Sequence, residues 1–297
     1  MGSGSGQGIA FVLSGGGNLG AIQAGQLEAL AEAGIRPDVL VGTSIGAANA
    51  AFLAADPGPR RAAALSELWR RTRSADVFPI RPLRAAGMLL RGSPLFPRAP
   101  FRRLLERALP YRRIEDAAVP LRIVATRFDD GAEVVFDSGP VVDAILASTA
   151  LPAVFGPHTI AGRRYLDGGL SNQVPVGPAV GSGAGSIYVL AAGFPCPPPS
   201  GRSFARAELI HSLELLLSQR IRLDAEHLPR HHPGLRIVRV PTVCTHLGLL
   251  DLSRTSALIE RAREQTRRFL AGEQCEECPE GHRPEPAVPA PIVVPAA

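Results

Sequence analysis

The stretch "GIAFVLSGGGNLGAIQAGQLEALAEAGIRPDVLVGTSIGAANAAFLAA" (residues 8–55) decides the fold class. It opens with "GIAFVL" (8–13), a short apolar run with β-branched and aromatic residues, which predicts a buried strand. Residues 19–33, rich in Ala, Leu, Gln and Glu, predict a helix that Gly34 and Pro37 stop. "DVLVG" (38–42) reads as a second strand and "IGAANAAFLAA" (45–55) as a second helix, ended by Asp56-Pro57. Strand, helix, strand, helix in so short a span implies an α/β fold with a parallel sheet covered by helices.

Working outward, residues 60–73 and 98–109 read as basic helices. Strands return at "LRIVATRF" (121–128) and "AEVVF" (132–136), with "DDG" as the hairpin turn between them. A short helix is expected at 140–147, a strand ending in a turn at "RRYLDGG" (163–169), and a buried strand at "SIYVLAAG" (186–193). Leu209, Leu213, Leu216, Leu217 and Ile221 recur at helical spacing within 204–223. A late strand at 235–240 and a last helix at 254–270 follow.

With 297 residues, 45% hydrophobic and 20% charged, the chain can bury a sizeable core. It contains no lysine, so all 32 basic residues are arginine, and the net charge is +5. Arg60 to Arg113 holds 14 arginines against only Glu67, Asp76 and Glu106, so the rest of the chain is net acidic. Such a block can attract anionic lipid, nucleic acid or another acidic partner, or it can be a solvated face. Four cysteines (196, 244, 275 and 278) make no disulfide framework and fit a reducing compartment. "CEECPEGH" offers Cys275, Cys278 and His282, three ligands where a structural zinc takes four. No run of about 20 apolar residues could cross a bilayer, and the start of the chain lacks the basic region of a signal peptide. A cytoplasmic protein, with peripheral membrane contact open to it, is the expectation.

The glycine cluster has two chemical readings. Gly15-x-Gly17-x-x-Gly20 after a strand has dinucleotide-fingerprint spacing. That reading needs an acidic residue at the end of the second strand, and Asp38 lies at its start. A phosphate-binding P-loop needs a lysine, and there is none. The other reading is an oxyanion hole, in which the N–H groups of Gly15, Gly16 and Gly17 meet a carbonyl oxygen as it becomes negative. "GTSIG" (42–46) supports it, because Gly-x-Ser-x-Gly places Ser44 on a sharp strand-to-helix turn with its hydroxyl exposed. Gly42 and Gly46 leave room for that turn. A serine nucleophile needs a base. A Ser–Asp–His order would place His246 last, but "THLGLLDL" around it offers no catalytic context. Asp167 in "YLDGGL", at a strand end before Gly168 and Gly169, can point a carboxylate into a site. Taken alone, Asp-Gly-Gly is usually a turn.

"SGGGNLGAIQAGQLEAL" (14–30), "VGTSIGAANAAFLA" (41–54) and "ASTALPAVFGPHTIAGRRYLDGGLSNQVPV" (147–176) together resemble the patatin-like phospholipases. The resemblance covers roughly residues 8–193. It implies a three-layer α/β/α sandwich with a mainly parallel sheet, and hydrolysis of lipid acyl esters without a metal or cofactor. It also implies a Ser44–Asp167 dyad, oxyanion donors at Gly15, Gly16 and Gly17, and motif support from Gly20, Gly42, Gly46, Gly168 and Gly169. Asn172 and Pro175 fit the family's continuation after Asp-Gly-Gly. Many members carry Arg or Lys just before the last glycine of the glycine motif, where this chain has Leu19 after Asn18. The family's region after the nucleophile helix is variable and often covers the site. Here 74–100 is expected to form a mobile lid within the basic region 60–113, with arginines meeting anionic headgroups. Residues 1–7 read as a flexible leader, 8–270 as the hydrolase domain, and 271–297 as an acidic, then Pro-rich, disordered tail. The expected partner is a lipid or ester substrate, with no nucleic acid. The alternative is a patatin-fold protein that binds lipids or partners without turnover.

Overall fold

The structure is a computed structural model that describes residues 8–79, 94–193, 231–232, 234–245 and 251–273. The readings at 204–223, His246, Cys275, Cys278, His282, the leader and the tail beyond 273 lie outside the described residues, as does the middle of the expected lid.

Eight strands form one sheet: β1 (Ile9–Leu13), β2 (Val39–Thr43), β3 (Leu121–Arg127), β4 (Glu133–Phe136), β5 (His158–Ile160), β6 (Arg163–Asp167), β7 (Ser186–Leu190) and β8 (Arg236–Val240). Their order is β5-β6-β3-β2-β1-β7-β8, with β4 also paired to β3. The five strands from β3 to β8 along this path run parallel, whereas β4, β5 and β6 are antiparallel additions. The chain winds outward from β1 to β2 and β3 on one side, and to β7 and β8 on the other. Open α/β sheets bind ligands at the carboxyl ends of the strands where the winding reverses, and here that point lies between β1 and β7.

Alternation along the strands builds two cores. One face sets Phe11, Leu13, Leu40 and Ile123 against helices α1 (Gly20–Glu32), α2 (Ile45–Ala54) and α3 (Pro59–Arg71). The other sets Ala10, Val12, Val41, Ile187 and Val189 against Val174, Val176 and Ala179. The result is the three-layer sandwich expected from the sequence. α1 is buried on nearly every side, because the last helix packs over it; Gly25 lets the Ile259 carbonyl of that helix approach closely.

Short elements escaped the sequence reading. They are α4 (Ser74–Val77), β5, α7 (Gly169–Asn172) and α8 (Val176–Val180). The remaining helices are α5 (Ala99–Ala108), α6 (Val141–Ser148) and α9 (Thr255–Leu270). The two described helices of the basic region are built into the body of the protein: Leu65 and Trp69 of α3 and Phe101 and Leu105 of α5 are core residues. Cys244, after β8, is disulfide-bonded, which corrects the expectation of reduced cysteines at that position. Among the described residues, no helix is long and apolar enough to cross a membrane.

Candidate active site

The sheet places Ser44 and Asp167 together by an unusual division of one strand edge. β2 pairs with β3 over Leu121–Val124, ending at Thr43 beside Val124. β6 pairs with β3 over Ala125–Arg127, with Asp167 beside Ala125. β4 pairs over Ile123–Thr126, overlapping both, so it occupies the opposite edge. β2 and β6 therefore share an edge and meet end to end. Gly168 makes the junction possible, because a Cβ there would strike the Val124 carbonyl.

Ser44 is the N-cap of α2 and adopts φ 54°, ψ −125°, a region costly for a residue with a side chain. Its N–H donates to Ser148 Oγ at 2.7 Å, and Ala47 N–H donates to its carbonyl at 2.9 Å. Gly46 lets the helix start lie directly on the Leu13 and Ser14 carbonyls, and Gly42 packs against Gly46 and Ala47. Ser44 Oγ thus reaches Asp167 and donates to its Oδ2 at 2.6 Å. The Gly169 N–H donates to the other carboxylate oxygen at 2.8 Å. The Asp167 backbone is tied down by Thr126 Oγ1, which donates to its carbonyl at 2.8 Å, and by its own N–H to the Ala150 carbonyl. Burial raises the carboxyl to about 6, against the opposing hydrogen bonds from Ser44 and Gly169. An aspartate there holds a proton far better than an exposed one near 3.9.

The glycine loop faces this pair. Gly17 sits at φ 59° and opens a 3₁₀ turn. Among the described residues, the N–H groups of Gly16 and Gly17 have no acceptor in the protein. Gly15 departs from the expectation: its N–H donates to the Gln173 carbonyl at 3.1 Å. Its missing side chain makes room for the Gln173 amide. Gly15 therefore cannot be a free donor, and its place in the motif is one of packing. Gly20 likewise makes room, for Ile45 and Trp69.

A buried polar network, missed at the sequence level, holds the loop. Gln23 Nε2 donates to the Ser14 and Leu190 carbonyls at 2.9 and 3.0 Å. Its Oε1 accepts from Asn49, which also donates to Gly20 and accepts from Trp69 Nε1. Asn18 Nδ2 donates to the Asp251 carbonyl, and Leu19 is partly buried against the core. Asn172 supports the Asp167 turn: its carbonyl accepts from Thr43 Oγ1 at 2.9 Å, and its amide reaches Glu133 at 3.1 Å. Pro175 N-caps α8.

Ser44 and Asp167 open into a cavity of about 440 Å³. Three helices line it at helical spacing: Ala48 and Phe52 of α2, Leu65, Leu68 and Trp69 of α3 with Thr72 just past its end, and Phe101, Leu104, Leu105 and Ala108 of α5. Also on the lining, Phe155 stacks on Phe78 and Phe101 with centroids 5.7 and 6.2 Å apart. No described histidine lines the cavity. His158 is held between Arg98 (2.9 Å) and Asp143 (3.0 Å), and burial lowers it. Among the described residues, no cluster of His, Cys, Asp and Glu could hold a metal ion.

Residues 11–180 match the patatin-like phospholipase family, to which this chain belongs. Over 191 residues it is 29% identical to mouse "Patatin-like phospholipase domain-containing protein 6", covering 64% of this chain and 14% of that protein. It is 32% identical over 192 residues to "Uncharacterized protein YjjU" of Escherichia coli K12, covering 61% of this chain and 51% of that one. Among solved structures, VipD from Legionella pneumophila aligns with a TM-score of 0.49 at 14% identity, covering 91% of this chain and 68% of that one. The chain thus spans at most about half of these curated relatives.

Proposed function

We propose that this protein is a serine hydrolase that cleaves acyl ester bonds of lipids through Ser44 and Asp167. The observation that carries the reading is the 2.6 Å hydrogen bond from Ser44 Oγ to a buried carboxylate at the mouth of an apolar cavity. Membership of a phospholipase family supports the substrate class.

In the proposed reaction, Ser44 Oγ attacks the acyl carbon as its proton passes to Asp167 Oδ2. The carbonyl oxygen becomes negative and accepts hydrogen bonds from the Gly16 and Gly17 N–H groups, worth a factor on the order of 10²–10³ per donor. Collapse expels the alcohol, which takes the proton from Asp167. Water then attacks the acyl-enzyme with Asp167 as base, releasing the fatty acid and restoring Ser44. None of these steps draws on a metal or cofactor. The arginines on the outer faces of α3 and α5 are proposed to meet anionic headgroups, an attraction that salt would weaken.

Base catalysis requires ionised Asp167. kcat/KM on a small ester is therefore expected to rise with pH through an apparent pKa of about 6. A flat profile between pH 4.5 and 8 would count against Asp167 as the base. The direct test is the intact mass after incubation with a fluorophosphonate. One adduct on the wild type, absent from Ser44→Ala, is expected. A folded wild type that stays unlabelled, yet binds lipid vesicles, would favour the non-catalytic binding protein.

A further inference from the structure

The cavity runs along α2 from half-buried Ser44 to buried Phe52, with Ala48 between them at four-residue intervals, so Ser44 marks its outer end. α3 runs antiparallel to α2: Arg61 bonds the Phe52 carbonyl, whereas Trp69 bonds Asn49 nearer the mouth. The deep end is therefore where Phe52, Leu65 and Ala108 gather.

That end is closed by a plug of unusual construction. Arg61 lies 3.7 Å above the Phe52 ring. Its Nε donates to the Phe52 carbonyl at 2.8 Å and its Nη2 to the Ala108 carbonyl at 3.1 Å. One guanidinium thus caps the C-terminal ends of α2 and α5, where the helix dipoles favour a cation. Tyr111 Oη adds a bond to the Ala51 carbonyl at 2.6 Å. An apolar chain sliding down the channel meets the Phe52 ring, with a fixed charge behind it. It would gain nothing by going further, since hydrocarbon does not replace the hydrogen bonds of this half-buried cation.

We propose that Phe52, braced by Arg61, sets the acyl-chain length, so that the enzyme prefers acyl groups of about eight to ten carbons. The inference rests on the hydrolase reading above. Eight residues of α2 between mouth and floor span about 12 Å. A carbon–carbon bond of about 1.5 Å advances an extended chain by roughly 1.3 Å, which gives that length. Each methylene buried before the floor should raise kcat/KM about fourfold; each one after it must stay outside or bend.

The test is a series of p-nitrophenyl esters from C4 to C16, with the Ser44 fluorophosphonate adduct measured in parallel. The wild type should peak near C8–C10 and fall for C14 and C16. Phe52→Leu should move the peak to longer chains by one or two carbons, and Ala108→Leu should move it to shorter ones. Because the ratio between chain lengths is read, a partial loss of folded protein does not disturb the result. A wild-type rate that climbs through C16, or an identical peak in both variants, overturns the length limit while leaving the hydrolase intact. No turnover at any length, together with no adduct, overturns both.

Discussion

Asp167→Asn should lower ester hydrolysis by about 10³-fold or more, on the scale of losing a positioned general base, and make the protein more resistant to heat at pH 8. Asn keeps the shape of the side chain. Its oxygen can still accept from the Gly169 N–H, and its NH₂ can face Ser44 Oγ. It cannot take a proton. The stability gain follows from linkage. Burial raises the folded-state pKa to about 6, above the usual value near 3.9. Between these two values the folded state holds a proton that the unfolded chain has lost, so stability falls as pH rises through this window. Above about pH 6 the full cost of a buried carboxylate is present, and Asn removes it. At pH 4, where the folded form is protonated and the unfolded form about half so, the gain should be small. Melting curves at pH 4 and 8 check the sign, and equal shifts at both would mean that burial does not raise Asp167.

Gly46→Ala should act in the opposite direction, removing activity and stability together. A Cβ at this position would lie closer to the Leu13 and Ser14 carbonyls than any real side chain does. Backbone of the central strand cannot swing aside as a flexible side chain would. α2 must lift from β1, and the Ser44 turn moves with it. Because Ser44, the proposed nucleophile, is held by a 2.6 Å hydrogen bond, a displacement of about 1 Å should reduce turnover about 10²-fold even in molecules that fold. Overpacking of this kind costs about 1–3 kcal/mol or more. Chemical denaturation and ester hydrolysis, measured on the same sample, check both losses. A variant with wild-type stability and rate would show that the strand and helix are not in contact at Gly46.

What the sequence made legible were the features that local patterning governs. "FVLSGGG" and "VGTSIG" announce strand ends and tight turns through residues within a few positions of one another. The edges of β1, β2 and α2 accordingly fall within a residue or so of those expected. Asp167 was legible because a strand and two glycines surround it. Partners chosen by the tertiary fold were not legible. Nothing near Ser148 says that its hydroxyl will receive the Ser44 N–H, and nothing in "SGGG" says that Gln173 will take the first N–H of the loop. Segments of three to five residues, such as β5, α4 and α8, are too short to display a period. The basic helices were legible, but the apolar pattern beneath their charge was not read. Arg60, Arg71, Arg103 and Arg107 are exposed on α3 and α5, while Leu65, Leu68 and Trp69, and Phe101, Leu104, Leu105 and Ala108, recur at helical spacing along the cavity. The period of the apolar residues was present beneath the charge.

The end-to-end meeting of β2 and β6 on one edge of β3 also bears on how the proposed activity would appear during folding. Ser44 and Asp167 are 123 positions apart in the chain, and the strands that carry them to each other are both aligned by pairing with β3. Until β3 has zipped to both, the serine has no acceptor for its proton, and the chain is chemically inert however much helix it contains. Reactivity therefore waits on two non-local pairings, β2 with β3 and β3 with β6, and non-local strand pairing is the slow part of assembling a sheet. In a refolding experiment, a serine-directed label would serve as a clock for that event and, at equilibrium, as a titrant of finished molecules.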